Sequence, residues 1–137
     1  MGNRKNINFA DLYFTLTMSN QNDQFLALIK LILPEEIFEY FDFTNIEVID
    51  NQVHAYLEEH DIKPYKFKDE RLISKGFHKE IVIQDFPLRD KPLFLHVRRR
   101  RWEIESTGEV VSRDWDSVAK GTRMTKDFAT FLKGLFG

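Results

Sequence analysis

The chain has no cysteine at all. Disulfides, thiolate nucleophiles and cysteine-ligated zinc are therefore excluded, and the composition suits a reducing compartment. No apolar run approaches the roughly 18 residues of a membrane span. The opening residues carry Arg4 and Lys5 but no clean apolar stretch before Asp11, so they do not read as a signal peptide. The expectation is a cytoplasmic protein that makes no membrane contact. A P-loop, a G-x-G-x-x-G turn and a G-x-S-x-G elbow are all missing. The four histidines, His54, His60, His78 and His96, show no ligand spacing on one element, so neither a metal nor a cofactor is expected. The acids of His60-Asp61 and of Asp114 and Asp116 read as loop residues, so the chain is not expected to be an enzyme.

What is present is a foldable composition of 137 residues, 42% apolar and 31% charged, with 13 phenylalanines. That is enough for one compact domain with an aromatic core. The net charge of −2 hides a polarity. Residues 1–62 hold 3 Lys/Arg against 11 Asp/Glu, and residues 63–137 hold 17 against 11. A basic C-terminal half points to a polyanion; alternatively the two halves, or two copies, attract each other.

Residues 1–21 lack a sustained period and read as a poorly structured extension, with Met18 a candidate start. A single domain is expected over 22–137. Asp23 is a candidate N-cap for a helix through residues 24–33, which is apolar on nearly every side and so is buried or docks on something. Pro34 ends it and opens a short second helix with Glu35 and Glu36 in its first turn and an apolar face of Ile37, Phe38, Tyr40 and Phe41. The period then falls to two. Ile46 and Val48, then Val53, Ala55 and Leu57, flank Asp50-Asn51, which predicts a hairpin over 44–58. Residues 59–69 read as a connector or an edge. The second half reads as a β-meander: a strand at 81–83, a loop at 87–92, one long strand at 93–104, a turn with left-handed Gly108, and a return over 109–115. Thr125 is the candidate N-cap of a final amphipathic helix striped by Phe128, Phe131, Leu132, Leu135 and Phe136. The fold class is α+β, with N-terminal helices packed on antiparallel hairpins.

Arg98-Arg99-Arg100-Arg101-Trp102 is the strongest signal. Guanidinium groups grip phosphates bidentately and stack on rings, and a two-stranded ribbon fits a major groove. In an unbroken strand Arg98 and Arg100 share a face with His96 and Trp102, and Arg99 and Arg101 share the face of Leu95 and Val97. Across the turn, Asp114 falls opposite Arg99 or Arg100 and Trp115 near Arg98 or Arg99, so one or two arginines are expected to be structural. Lys75, Arg113 and Arg123 extend the candidate DNA-binding patch. The C-terminal stripe is the candidate partner-binding face, and residues 25–33 offer a route to a homodimer.

Taken in order, Leu33–Phe41, Lys75–His78, Ile83–Pro87, Leu95–Trp102, Val111–Trp115 and Gly121–Thr125 resemble the N-terminal region of a family of bacterial insertion-sequence transposases. The resemblance runs from about residue 22 to residue 137. It implies a DNA-binding or assembly module that engages the element's terminal repeats, beside a separate or downstream catalytic subunit with Asp/Asp/Glu metal chemistry. The span 76–125 is also similar to the zinc-ribbon N-terminus of related transposases, but no cysteine is present here, so zinc is not implied. The competing reading is a protein-interaction module that binds the catalytic subunit or dimerises without contacting DNA.

Overall fold

The computed structural model describes residues 23–121 and 125–136. The predicted extension at residues 1–21 and Arg123 lie outside them. The chain divides into two compact units, residues 1–35 and 36–137.

In the first unit, α1 covers residues 23–32 and closes with Leu33 N–H donating to the Ile29 carbonyl at 3.0 Å, just ahead of Pro34. Ile29 and Leu33 are buried, whereas Leu28 is 53% and Leu31 84% exposed.

The second unit is α+β. Helix α2 (Ile37–Tyr40) is a single turn leading straight into β1 (Phe41–Ile49). Asp50 and Asn51, both at positive φ, turn β1 into β2 (Gln52–Glu59), as the turn pair predicts. A 3₁₀ turn, Tyr65–Phe67, follows. Next come β3 (Leu72–Phe77), β4 (Ile81–Leu88), β5 (Lys91–Arg98), β6 (Arg100–Ile104), β7 (Val110–Val111), α3 (Trp115–Gly121) and α4 (Lys126–Phe136).

Four expectations for the second half are corrected. The return over 109–115 is strand only at Val110–Val111, and α3 already begins at Trp115. Strand β3 is an extra strand. The segment at 87–92 is mostly strand, with a tight turn at Arg89 and Asp90, and Arg89 takes a φ of 62°. The long strand breaks at Arg99. Residues 72–88 pair antiparallel with 91–104 as one bent ribbon whose ends belong to different sheets. One sheet has the order β1-β2-β5-β4, with β2 and β5 parallel; the other has the order β3-β6-β7. The arrangement is therefore not a simple meander. Gly108 does take a left-handed φ of 75°, and its N–H donates to the Ile104 carbonyl at 2.7 Å.

Alternation builds the core. Val53, Ala55 and Leu57 on β2 and Leu93, Leu95 and Val97 on β5 point inward. Phe128, Phe131, Leu132 and Leu135 of α4 are buried in this unit. Phe41 stacks on Trp115 at 5.3 Å and meets Phe131 edge-on at 5.8 Å. Gly134 lets α4 approach β4 closely, since a Cβ there would lie 3.0 Å from the Ile83 side chain. Thr125 caps α4 as the sequence predicts: its Oγ1 accepts from Phe128 N–H at 3.2 Å. Glu36 ties that cap to α2, accepting from Thr125 N–H at 3.0 Å and Oγ1 at 2.8 Å.

Candidate nucleic-acid interface

The break at Arg99 decides what each arginine does. Buried positions on β5 are odd-numbered, ending at Val97, whereas on β6 they are Trp102 and Ile104. One extra residue between the strands has reversed the phase, as a bulge does. The face pairing expected of an unbroken strand is therefore corrected. Arg98 stays on the outer face of the larger sheet, and Arg100 turns toward the side of Trp102.

Arg98 donates through Nη1 to Glu58 at 3.1 Å. Arg100 is bound on three sides. Its N–H donates to Glu59 Oε1 at 2.9 Å, its Nε to the Glu59 carbonyl at 3.1 Å, and its Nη1 to Ser74 Oγ at 2.8 Å. Its guanidinium also lies 4.7 Å from the Phe77 ring centre. Arg101 makes one bond, from Nη2 to the Lys75 carbonyl at 3.2 Å. The Arg99 side chain has no hydrogen-bond or ion-pair partner among the described residues, and the Nε atoms of Arg99 and Arg101 are both buried without an acceptor. His78 N–H donates to the Arg99 carbonyl at 2.8 Å, and its ring pairs with Ser112 Oγ. Burial, and then the charges of Arg99 and Arg101, push the His78 pKa below its ordinary value. The pair thus sets up a positive field around the His78 imidazole that disfavours its protonation. Lys75 adjoins it and is shared with Glu103 at 3.5 Å.

Trp102 and Arg113 are corrected. Trp102 is 1% exposed and donates through Nε1 to Asp61 at 2.8 Å, so no ring face is open for a base. Arg113 is a clamp inside the fold. Its Nε donates to Glu59 Oε2 at 2.9 Å and its Nη2 to the Ile62 carbonyl at 2.6 Å. Its guanidinium lies 5.4 Å from the Tyr40 ring centre, 5.8 Å from that of Trp115 and 5.9 Å from that of Trp102. Burial raises the Glu59 pKa, while the Arg100 N–H and the Arg113 side chain pull it down.

Asp114 does not face the arginine run. Its carboxylate caps α3, accepting from the N–H groups of Asp116 and Ser117, both at 3.1 Å. Trp115 starts that helix and packs on Tyr40 and Phe41, and the cation beside its ring is Arg113 rather than Arg98 or Arg99. The candidate partner face is also corrected: Phe128, Phe131, Leu132 and Leu135 are core, and only Phe136, half-exposed, remains on the surface.

Sequence reasoning missed Glu59, although it continues the inward parity of Val53, Ala55 and Leu57 and so was marked for burial. It also missed a chain of side chains across the outer face of the larger sheet. His54 Nδ1 meets His96 Nε2 at 2.8 Å, His96 Nδ1 meets Glu80 at 2.8 Å, and His54 Nε2 meets Gln52 at 3.2 Å. Among the described residues, no three of His, Asp and Glu form a group able to hold a metal ion, and no helix is long and apolar enough to cross a membrane.

No protein-family model, curated protein or solved structure matches this chain.

Proposed function

We propose that this chain is the non-catalytic DNA-binding and assembly module of an insertion-sequence transposase, acting with a separate or downstream catalytic part. One observation carries the DNA-binding reading: among the described residues the Arg99 side chain finds no hydrogen-bond partner and Arg101 one, while their neighbours in the run are spent on Glu58 and Glu59. A guanidinium held at a strand break without an acid is suited to a phosphate oxygen. Lys75 adds a third cation, and the surplus of 17 Lys/Arg over 11 Asp/Glu in residues 63–137 supplies the long-range field. The transposase assignment comes from the six-segment resemblance alone.

The test is a set of duplex-DNA isotherms at several salt concentrations. Replacing Arg99 and Arg101 with Gln makes the log–log salt slope shallower by about 2, since each phosphate contact contributes roughly 0.9. Replacing Arg98 and Arg100 costs stability first. An unchanged slope in the Arg99/Arg101 variant removes this pair from the interface and favours the second reading, a protein-interaction module. That reading has its own observation in the exposed Leu28 and Leu31 of α1. Light scattering of a Leu28→Ser/Leu31→Ser variant, alone and with the catalytic part, tests it.

A further inference from the structure

A cleft of about 410 Å³ opens between Tyr40, the Tyr65 turn, Arg113 and α3. Arg113 packs against Trp102, whereas Arg101 alternates to the other side of β6. The cleft and the Arg99/Arg101 pair therefore lie on opposite faces of that strand. The volume suits one small planar group and is far too small for a duplex.

The cleft is aromatic and cationic. Tyr65 is 79% exposed, so its ring does not serve the core. The turn beneath it is nonetheless well fixed: Pro64 is buried, Phe67 N–H donates to the Pro64 carbonyl at 2.9 Å, and Lys68 N–H donates to the Tyr65 carbonyl at 3.0 Å. Lys68 Nζ sits 4.8 Å from the Tyr65 ring centre and donates to its hydroxyl at 3.2 Å. Lys66 lines the cleft. So does Arg113, whose Nε and Nη2 are committed to Glu59 and Ile62 while Nη1 bonds none of the described residues. The acid in the lining, Asp114, is spent on capping α3, and the Ser117 N–H is the largest cause of its lowered pKa.

We propose that this cleft takes one unstacked nucleobase of single-stranded DNA, its ring against Tyr65 and its phosphate between Lys66 and Lys68. An exposed ring on a hydrogen-bonded turn, beside two lysines, matches what unpaired nucleotides demand: a π surface for the base and a cation for the backbone, without regard to sequence. A bare phosphate would use the lysines but gain nothing from the ring. The inference rests on the DNA-binding reading, but on different residues and a different form of DNA.

The experiment measures binding of the full chain to three probes: a single-stranded oligodeoxynucleotide, the same strand made abasic, and a blunt duplex. The base-bearing strand is expected to bind about tenfold tighter than the abasic one, because stacking one base is worth that much or more. Tyr65→Ala removes that preference, and Tyr65→Phe retains it. The exposure of Tyr65 means that the fold tolerates both, which circular dichroism melts verify. Blunt-duplex binding is unchanged by Tyr65→Ala and weakened by the Arg99/Arg101 replacements. Equal binding of the base-bearing and abasic strands, or an undiminished preference in Tyr65→Ala, overturns the inference. If the duplex is not bound but the Tyr65-dependent strand preference is seen, the arginine reading fails and the cleft stands.

Discussion

Glu59 and Arg113 form an ion pair at 2.9 Å with side-chain exposures of 1% and 11%, joining the end of β2 to the residue two before α3. Neither charge can be left alone there without a large desolvation penalty. Arg100 completes the arrangement through its backbone N–H. With Arg100, this pair ties the end of β2 to the segment before α3, and the arrangement takes up two residues, Arg100 and Arg113, that the charge pattern assigns to nucleic acid.

Removing one partner should therefore cost far more than removing both. Glu59→Gln leaves a buried guanidinium without its counter-charge, and a loss of about 3–5 kcal/mol in urea unfolding is expected. In the double variant Glu59→Gln/Arg113→Met the loss should be smaller than the sum of the single losses. Additive losses would show that the two side chains act independently.

Trp102→Phe separates packing from recognition. The indole N–H to Asp61 is lost, while Asp61 is exposed and can rehydrate, so a destabilisation of about 1–2 kcal/mol is expected. DNA affinity should not change, because the ring is enclosed. A fall in affinity without a fall in stability would place the ring at the interface.

His78 reports the arginine field. Burial comes first among the causes that depress its pKa, and the Arg99 and Arg101 charges follow. Arg99→Gln should raise the His78 pKa toward the ordinary histidine value in an NMR titration. A base held below its unfolded pKa loses stability as pH falls through the unfolded value toward the folded one. Stability should thus decline on acidification below about pH 6.5, and less so in the Arg99→Gln variant. An unmoved His78 titration would mean that Arg99 points elsewhere.

Glu36 makes the acid-side prediction. Burial raises its pKa, but the bonds from Thr125 and from its own backbone N–H together outweigh that, and the net shift is downward. An acid with a lowered folded pKa contributes stability above its unfolded value and loses it as pH falls through the folded one. Thr125→Val should remove the hydroxyl's share of this contribution along with the cap, while the backbone N–H bond to Glu36 stays, costing about 1 kcal/mol at neutral pH and less below the carboxylate range. Urea midpoints at the two pH values decide it; an equal cost at both would rule out the Glu36 link.

Local signals were legible wherever one residue's own conformation settles the matter. Asp50-Asn51 makes the predicted turn, Gly108 the predicted left-handed position and Thr125 the predicted cap. The inward parities of Val53, Ala55 and Leu57 and of Leu93, Leu95 and Val97 also emerge from alternation alone. The run at 98–101 could not be read this way. Period-two reasoning holds only along an unbroken strand, and four identical side chains contain no mark of the residue at which the phase reverses.

Composition and pattern by themselves determined the α+β class, the first hairpin, the capped C-terminal helix and the concentration of basic charge in the second half. These follow from propensity and periodicity, which act over neighbouring residues. Only the tertiary structure decided which cations are free. Glu58 and Glu59 lie about 40 residues before Arg98 and Arg100, and Glu59 lies 54 before Arg113. They meet because β2 and β5 pair in parallel and the ribbon bends at Arg99 into a second sheet. An ion pair depends on distance in space, and a guanidinium is committed or left for a ligand according to which acids the fold brings within reach.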